Sequence, residues 1–153
     1  FGTATDIGDM NGDGRLDIAV ATYQSLEDRR FDSESAVFLA TGPRTFQRVA
    51  PGAQTAGATD AALIPAENGL PGRAVFANCL GGTLYERVPN YLYWGSPKGF
   101  DPENKWVITG QSGHDAMAAD FDHDGHVDFA MTFTAHGGPA ALRSPIIGFN
   151  ILW

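Results

Sequence analysis

Two nine-residue segments share one pattern, D-x-[ND]-x-D-G-x-x-D: DMNGDGRLD at 9–17 and DFDHDGHVD at 120–128. Together they hold seven of the chain's 18 acids. Carboxylates this close repel one another, and a fold keeps them where something cancels the charge. A hard divalent cation does so best, and Ca²⁺ accepts six to eight oxygen ligands in a flexible shell. Positions 1, 3 and 5 turn oxygens inward, Gly at position 6 permits the sharp turn, position 7 offers its carbonyl, and Asp at position 9 closes the shell. The competing reading is a solvated acidic turn, because Asp-Gly alone is a common hairpin signal. Two copies in one short chain favour the cation. An EF-hand is disfavoured. It needs Glu at position 12, where this chain has Val20 and Met131, and the segments that follow, LDIAVAT and VDFAMTF, read as buried strands rather than helices.

The spacing between the loops predicts a repeat. Asp9 and Asp120 lie 111 residues apart, two units of 55 or 56, so a middle copy falls at 64–72. There Asn68 and Gly69 stand in register with Asp13-Gly14 and Asp124-Gly125, while Ile64, Ala66 and Gly72 replace the acids. This reads as the same turn without a metal, stiffened by Pro65 and Pro71. Gly2, Gly57 and Gly113 open three stretches of small residues. VFLATGPRTF at 37–46 matches YLYWGSPKGF at 91–100, and a third copy of this element starts at 147–153. The expected fold is all-β, with units at 1–56, 57–112 and an incomplete 113–153. Each unit is a four-stranded antiparallel sheet. Such sheets bury both faces by packing radially, as β-propeller blades do. Propellers have about four to eight blades, so three units predict a segment of a larger propeller, completed by the same polypeptide or by other chains.

Charge and composition narrow the function. The net charge of −8 opposes binding to nucleic-acid phosphates or an anionic membrane surface. The single cysteine, Cys79, excludes an internal disulfide framework and reads as a buried small hydrophobe. No apolar run is long enough to span a membrane as a helix.

The stretch FG followed by DIGDMNGDGRLD at 6–17, and YLYWGSPKGF ahead of AADFDHDG at 118–125, resemble FG-GAP/VCBS repeats. These are the blade units of integrin-α-type propellers and of many bacterial secreted proteins. The resemblance implies one Ca²⁺ in the hairpin loop between the first two strands of a blade. Carried onto this chain, the ligands are Asp9, Asn11, Asp13, the Arg15 carbonyl and Asp17, then Asp120, Asp122, Asp124, the His126 carbonyl and Asp128. Two ions are expected. The implied setting is extracellular or periplasmic.

Other candidates carry less. His114, His123, His126 and His136 with nearby acids suggest a transition-metal site only weakly, because the repeat explains His126 by its backbone and His123 as an outward side chain. Asp6, Asp60 and Asp115 recur near the first strands, where they either ring a central mouth or hold backbone amides, the second being favoured. Tyr91, Tyr93, Trp94, Trp106 and Trp153 offer stacking faces for sugars, but strand spacing favours burial between blades. Insertions at 24–35 and 134–144 follow the second strands and project from one rim, the expected place for a glycan or protein ligand. The expected role is non-catalytic: a calcium-binding propeller segment in adhesion or carbohydrate recognition. The alternative is the propeller portion of a carbohydrate-active enzyme such as a polysaccharide lyase.

Overall fold

The computed structural model describes residues 2–80, 88–96, 99–109, 112–133 and 149–152. They form twelve strands in three antiparallel sheets and no helix. The first sheet holds β1 (Gly2–Gly8), β2 (Asp17–Thr22), β3 (Asp32–Gly42), β4 (Thr45–Arg48) and β5 (Ala53–Ala56). The second is β6 (Ala58–Ile64), β7 (Arg73–Asn78), β8 (Asn90–Ser96) and β9 (Gly99–Ile108), paired in that order. The third is β10 (Gly113–Ala119), β11 (Asp128–Phe133) and β12 (Phe149–Leu152).

Side-chain alternation along the middle sheet sets the stacking. Ala61, Leu63, Ala74, Phe76 and Tyr93 face the first sheet, where they pack with Ala19, Ala21, Val37 and Ala53. Their neighbours Ala62, Ile64, Val75, Ala77 and Leu92 face the third sheet and pack with Phe129, Met131 and Phe133. Both faces of the middle sheet are therefore covered. The outer sheets each leave apolar residues open, with Ile7 59% and Met117 58% exposed.

The first strands of the sheets lie against one another, and the same two bonds recur at each junction. Thr3 Oγ1 donates to the Ala58 carbonyl at 2.8 Å, and Thr59 Oγ1 donates to the His114 carbonyl at 2.6 Å. Asp6 Oδ2 accepts the Leu63 N–H at 2.7 Å, and Asp60 Oδ2 accepts the Ala116 N–H at 2.9 Å. These acids hold backbone amides across the junction, while Asp115 accepts from Thr132 Oγ1 in its own sheet. A register shift sits near the start of all three first strands, as bulges do where a strand must re-aim its side chains. At the opposite ends from the acidic loops, buried Asn78 and Asn90 tie the sheets in series. Asn78 Oδ1 accepts the Ala56 N–H, and Asn90 Oδ1 accepts those of Asn78 and Gly113.

Four expectations need correction. The first sheet has five strands rather than four, because its outer edge is broken between β4 and β5. Pro51 has no N–H for a ladder, and the Gly52 N–H turns to Glu34 Oε1 at 2.7 Å. The segment 24–35 is not wholly a loop, since Asp32, Ser33, Glu34 and Ser35 pair with β5. Ser35 and Thr55 side chains bond each other at 2.8 Å, so these polar residues are satisfied inside a sheet. Trp106 is 46% exposed rather than buried between sheets, whereas Tyr93 is fully buried. The turn at 64–72 is also a different turn, as described below. Residues 134–144, His136 and Trp153 lie outside the described residues.

Candidate metal centre

Each acidic loop leaves the end of a first strand and feeds a second strand. In loop 9–17 the Asp9 carboxylate organises the turn: Oδ1 accepts the N–H groups of Gly12 (2.7 Å) and Asp13 (3.1 Å), and Oδ2 that of Gly14 (2.8 Å). Asn11 Oδ1 accepts the Asp13 N–H, and Asp13 Oδ1 the Arg15 N–H at 2.9 Å. Loop 120–128 repeats the scheme. Asp120 accepts from Asp124 and Gly125, Asp122 from Asp124, and Asp124 from His126. Local bonding of this kind fixes an Asx-rich turn.

Left-handed backbone falls at positions 4 and 6 of both loops: Gly12 (φ 75°) and Gly14 (φ 82°), then His123 (φ 63°) and Gly125 (φ 91°). The middle segment differs. Its left-handed residues are Asn68 (φ 50°) and Gly69 (φ 80°), closed by reciprocal bonds between Glu67 and Leu70. That is a two-residue hairpin of the Asn-Gly kind. Without acids at positions 1, 3 and 9, nothing gathers the backbone amides into the wider loop.

Oxygens of Asp120, Asp122 and Asp124 lie within 4.8 Å of one another. In the first loop Asn11 takes the middle place. Asp17 and Asp128 behave otherwise. Asp17 is fully buried, with Oδ2 accepting the Met10 N–H and Oδ1 the Ala40 N–H, both at 2.9 Å. Asp128 is nearly buried and accepts the Phe121 N–H at 3.1 Å. The ninth position thus anchors each loop to its sheet. Burial pushes the Asp17 carboxyl up from its ordinary value; the Ala40 and Met10 N–H groups oppose this, and the Asp13 and Asp9 charges add to it. Asp13 moves the other way. Desolvation would raise it, but the Arg15 N–H, the Asn11 amide and the Arg15 guanidinium together hold it below the ordinary range. The Arg15 guanidinium pairs with Asp13 at 2.8 Å and donates from Nε to the Ala40 carbonyl, a side-chain role the sequence did not suggest.

The donor set fits a hard cation. Loop 9–17 offers carboxylate, amide and carbonyl oxygens, with the Met10 side chain buried in the core, and loop 120–128 offers carboxylate and carbonyl oxygens; hard cations prefer such oxygens, softer metals sulfur or imidazole. The side chains of His123 and His126 are exposed, outside the group of converging oxygens.

The three turns lie side by side. The Ala66 N–H donates to the Asp9 carbonyl at 2.8 Å, and Glu67 Oε1 accepts the Val127 N–H at 3.0 Å. A cleft of about 500 Å³ opens between the first loop and the hairpin, lined by Asp9, Asn11, Glu67 and Asn68 among others. Met10 leaves the first loop and is buried against Gly72 and Gly95 of the middle sheet.

Comparison with known families places an FG-GAP repeat at residues 1–38, covering β1, loop 9–17, β2 and most of β3. The first unit thus carries the repeat that the sequence resembles. No curated protein matches the chain.

Proposed function

We propose that this chain is a calcium-stabilised, non-catalytic segment of a β-propeller that works outside the cell and presents a ligand-binding rim. The observation that carries the calcium reading is the shared loop geometry: oxygens of Asp120, Asp122 and Asp124 converge within 4.8 Å, and loop 9–17 repeats their bonding. A cation there would be held by Asp9, Asn11, Asp13 and the Arg15 carbonyl, and by Asp120, Asp122, Asp124 and the His126 carbonyl. Asp17 and Asp128 would complete or brace each shell. Two ions would move the formal charge from −8 to about −4, counting +2 each.

Stacked sheets joined first strand to first strand, with the same Thr and Asp bonds at both junctions, support the propeller reading. The open apolar faces of the two outer sheets then belong against further blades. The FG-GAP match favours an extracellular setting, where millimolar calcium suits loops of this kind. A protein or glycan ligand would be met at the rim where segment 24–31 follows the second strand of the first sheet.

Thermal unfolding tests the proposal. A ligand that binds only the native state raises stability by mass action, so EDTA should lower Tm and millimolar calcium restore it. An identical melt with and without calcium would refute the reading.

A further inference from the structure

The hairpin of the middle unit lacks the acids of its neighbours, yet it reaches into loop 120–128 at a chemically specific point. We propose that Glu67 is a positioning residue for a cation in that loop, holding the peptide that presents the His126 carbonyl; this rests on the calcium reading above. The His126 C=O and the Val127 N–H belong to one planar trans peptide, so they point in opposite directions. Glu67 Oε1 accepts that N–H at 3.0 Å. The N–H end of the peptide is thereby turned to the middle unit and the carbonyl end away from it. A charged acceptor on the N–H also polarises the peptide and makes its carbonyl a stronger donor to a cation.

Two further contacts hold the arrangement. Asn68 Nδ2 lies 3.3 Å from His126 Nδ1. Arg73 Nη2 lies 3.5 Å from the same Glu67 oxygen, and its guanidinium sits over the Trp94 ring at 5.6 Å. The first loop has no counterpart. Leu16, in the place of Val127, is 59% exposed, and no carboxylate accepts its N–H among the described residues. A unit without the acidic pattern thus serves the loop of the next unit, and among the described residues only the second loop has the peptide after its seventh position held by a carboxylate. Groups behind metal ligands fix ligand orientation and typically change affinity about 10- to 100-fold when removed.

Calcium is titrated calorimetrically into the full chain carrying Asp13→Ala, which leaves the second loop to report, and carrying Asp124→Ala, which leaves the first. Adding Glu67→Ala should weaken the second loop about tenfold and leave the first unchanged. Glu67→Gln, whose amide oxygen still accepts the N–H, should recover most of the affinity. Glu67→Ala with Arg73→Met should stay as weak as Glu67→Ala alone; recovery there would assign the effect to an uncompensated guanidinium and overturn the proposal. Equal weakening of both loops, or no weakening, also overturns it. Failure of both loops to take calcium before any change at Glu67 would overturn the calcium reading itself. Amide exchange at Val127 in calcium-free protein gives a second readout: protection in the parent, lost in Glu67→Ala and kept in Glu67→Gln. An unprotected Val127 amide in the parent contradicts the clamp.

Discussion

At the scale of single residues, the positions that matter most are those where a side chain either cannot be tolerated or cannot ionise. Gly95 belongs to the first kind. A Cβ there would run into the Met10 carbonyl and also stand 3.0 Å from the Gly72 carbonyl. Gly95→Ala should therefore cost about 1–3 kcal/mol by overpacking, read as a lower Tm. Truncating Met10 to Ala in the same chain should not rescue it, because the obstruction is Met10 backbone; rescue would contradict this account. Tyr93 belongs to the second kind. Burial, then the nearby Tyr91 and Glu103, push its phenol well above the ordinary range, and its hydroxyl donates to the Gln54 carbonyl. Above about pH 10 the unfolded chain releases this proton while the folded chain keeps it, so stability must fall as pH rises. Melts between pH 9 and 11 should show this loss in the parent and a shallower loss in Tyr93→Phe. Equal slopes would contradict the assignment.

At the scale of elements, the acidic loops and the strands that follow them were legible because their signals are local. Alternating Ala19, Ala21 and Phe129, Met131 mark the buried faces of β2 and β11, and Asp-Gly marks the turns. The middle turn was misread because register alone equated Asn68-Gly69 with Asp13-Gly14. Backbone dihedrals are set by which groups accept the amides, and there the acceptors are missing. The left-handed His123 was also invisible, since histidine carries no turn signal of the strength of glycine. The extra strand β5 was hidden by polar residues, Ser33, Ser35 and Thr55, whose hydroxyls are satisfied by carbonyls and one another only once the strands pair. Spacing marks the ninth-position acids, Asp17 and Asp128, as candidate ligands. Their role as anchors for the Met10, Ala40 and Phe121 amides depends on burial, which no spacing reveals.

At the scale of the molecule, the repeat period pointed to like units, and the three sheets share one strand order from first strand outward. What the period could not supply was how the units are joined. Thr3, Asp6, Thr59 and Asp60 bond across the first-strand junctions, and Asn78 and Asn90 across the far ends. These are isolated polar residues in strands, whose partners lie more than twenty and up to 57 residues away. The acidic loops sit at one end of this stack, so a cation bound there would bear on the whole assembly through Met10, Ala66 and Glu67. The most direct measurement is calorimetric titration of the chain with calcium at low ionic strength. Two calcium ions per chain are expected, falling to one in Asp13→Ala and one in Asp124→Ala. A chain that takes up no calcium at millimolar concentration, or whose stoichiometry ignores both substitutions, would contradict the account.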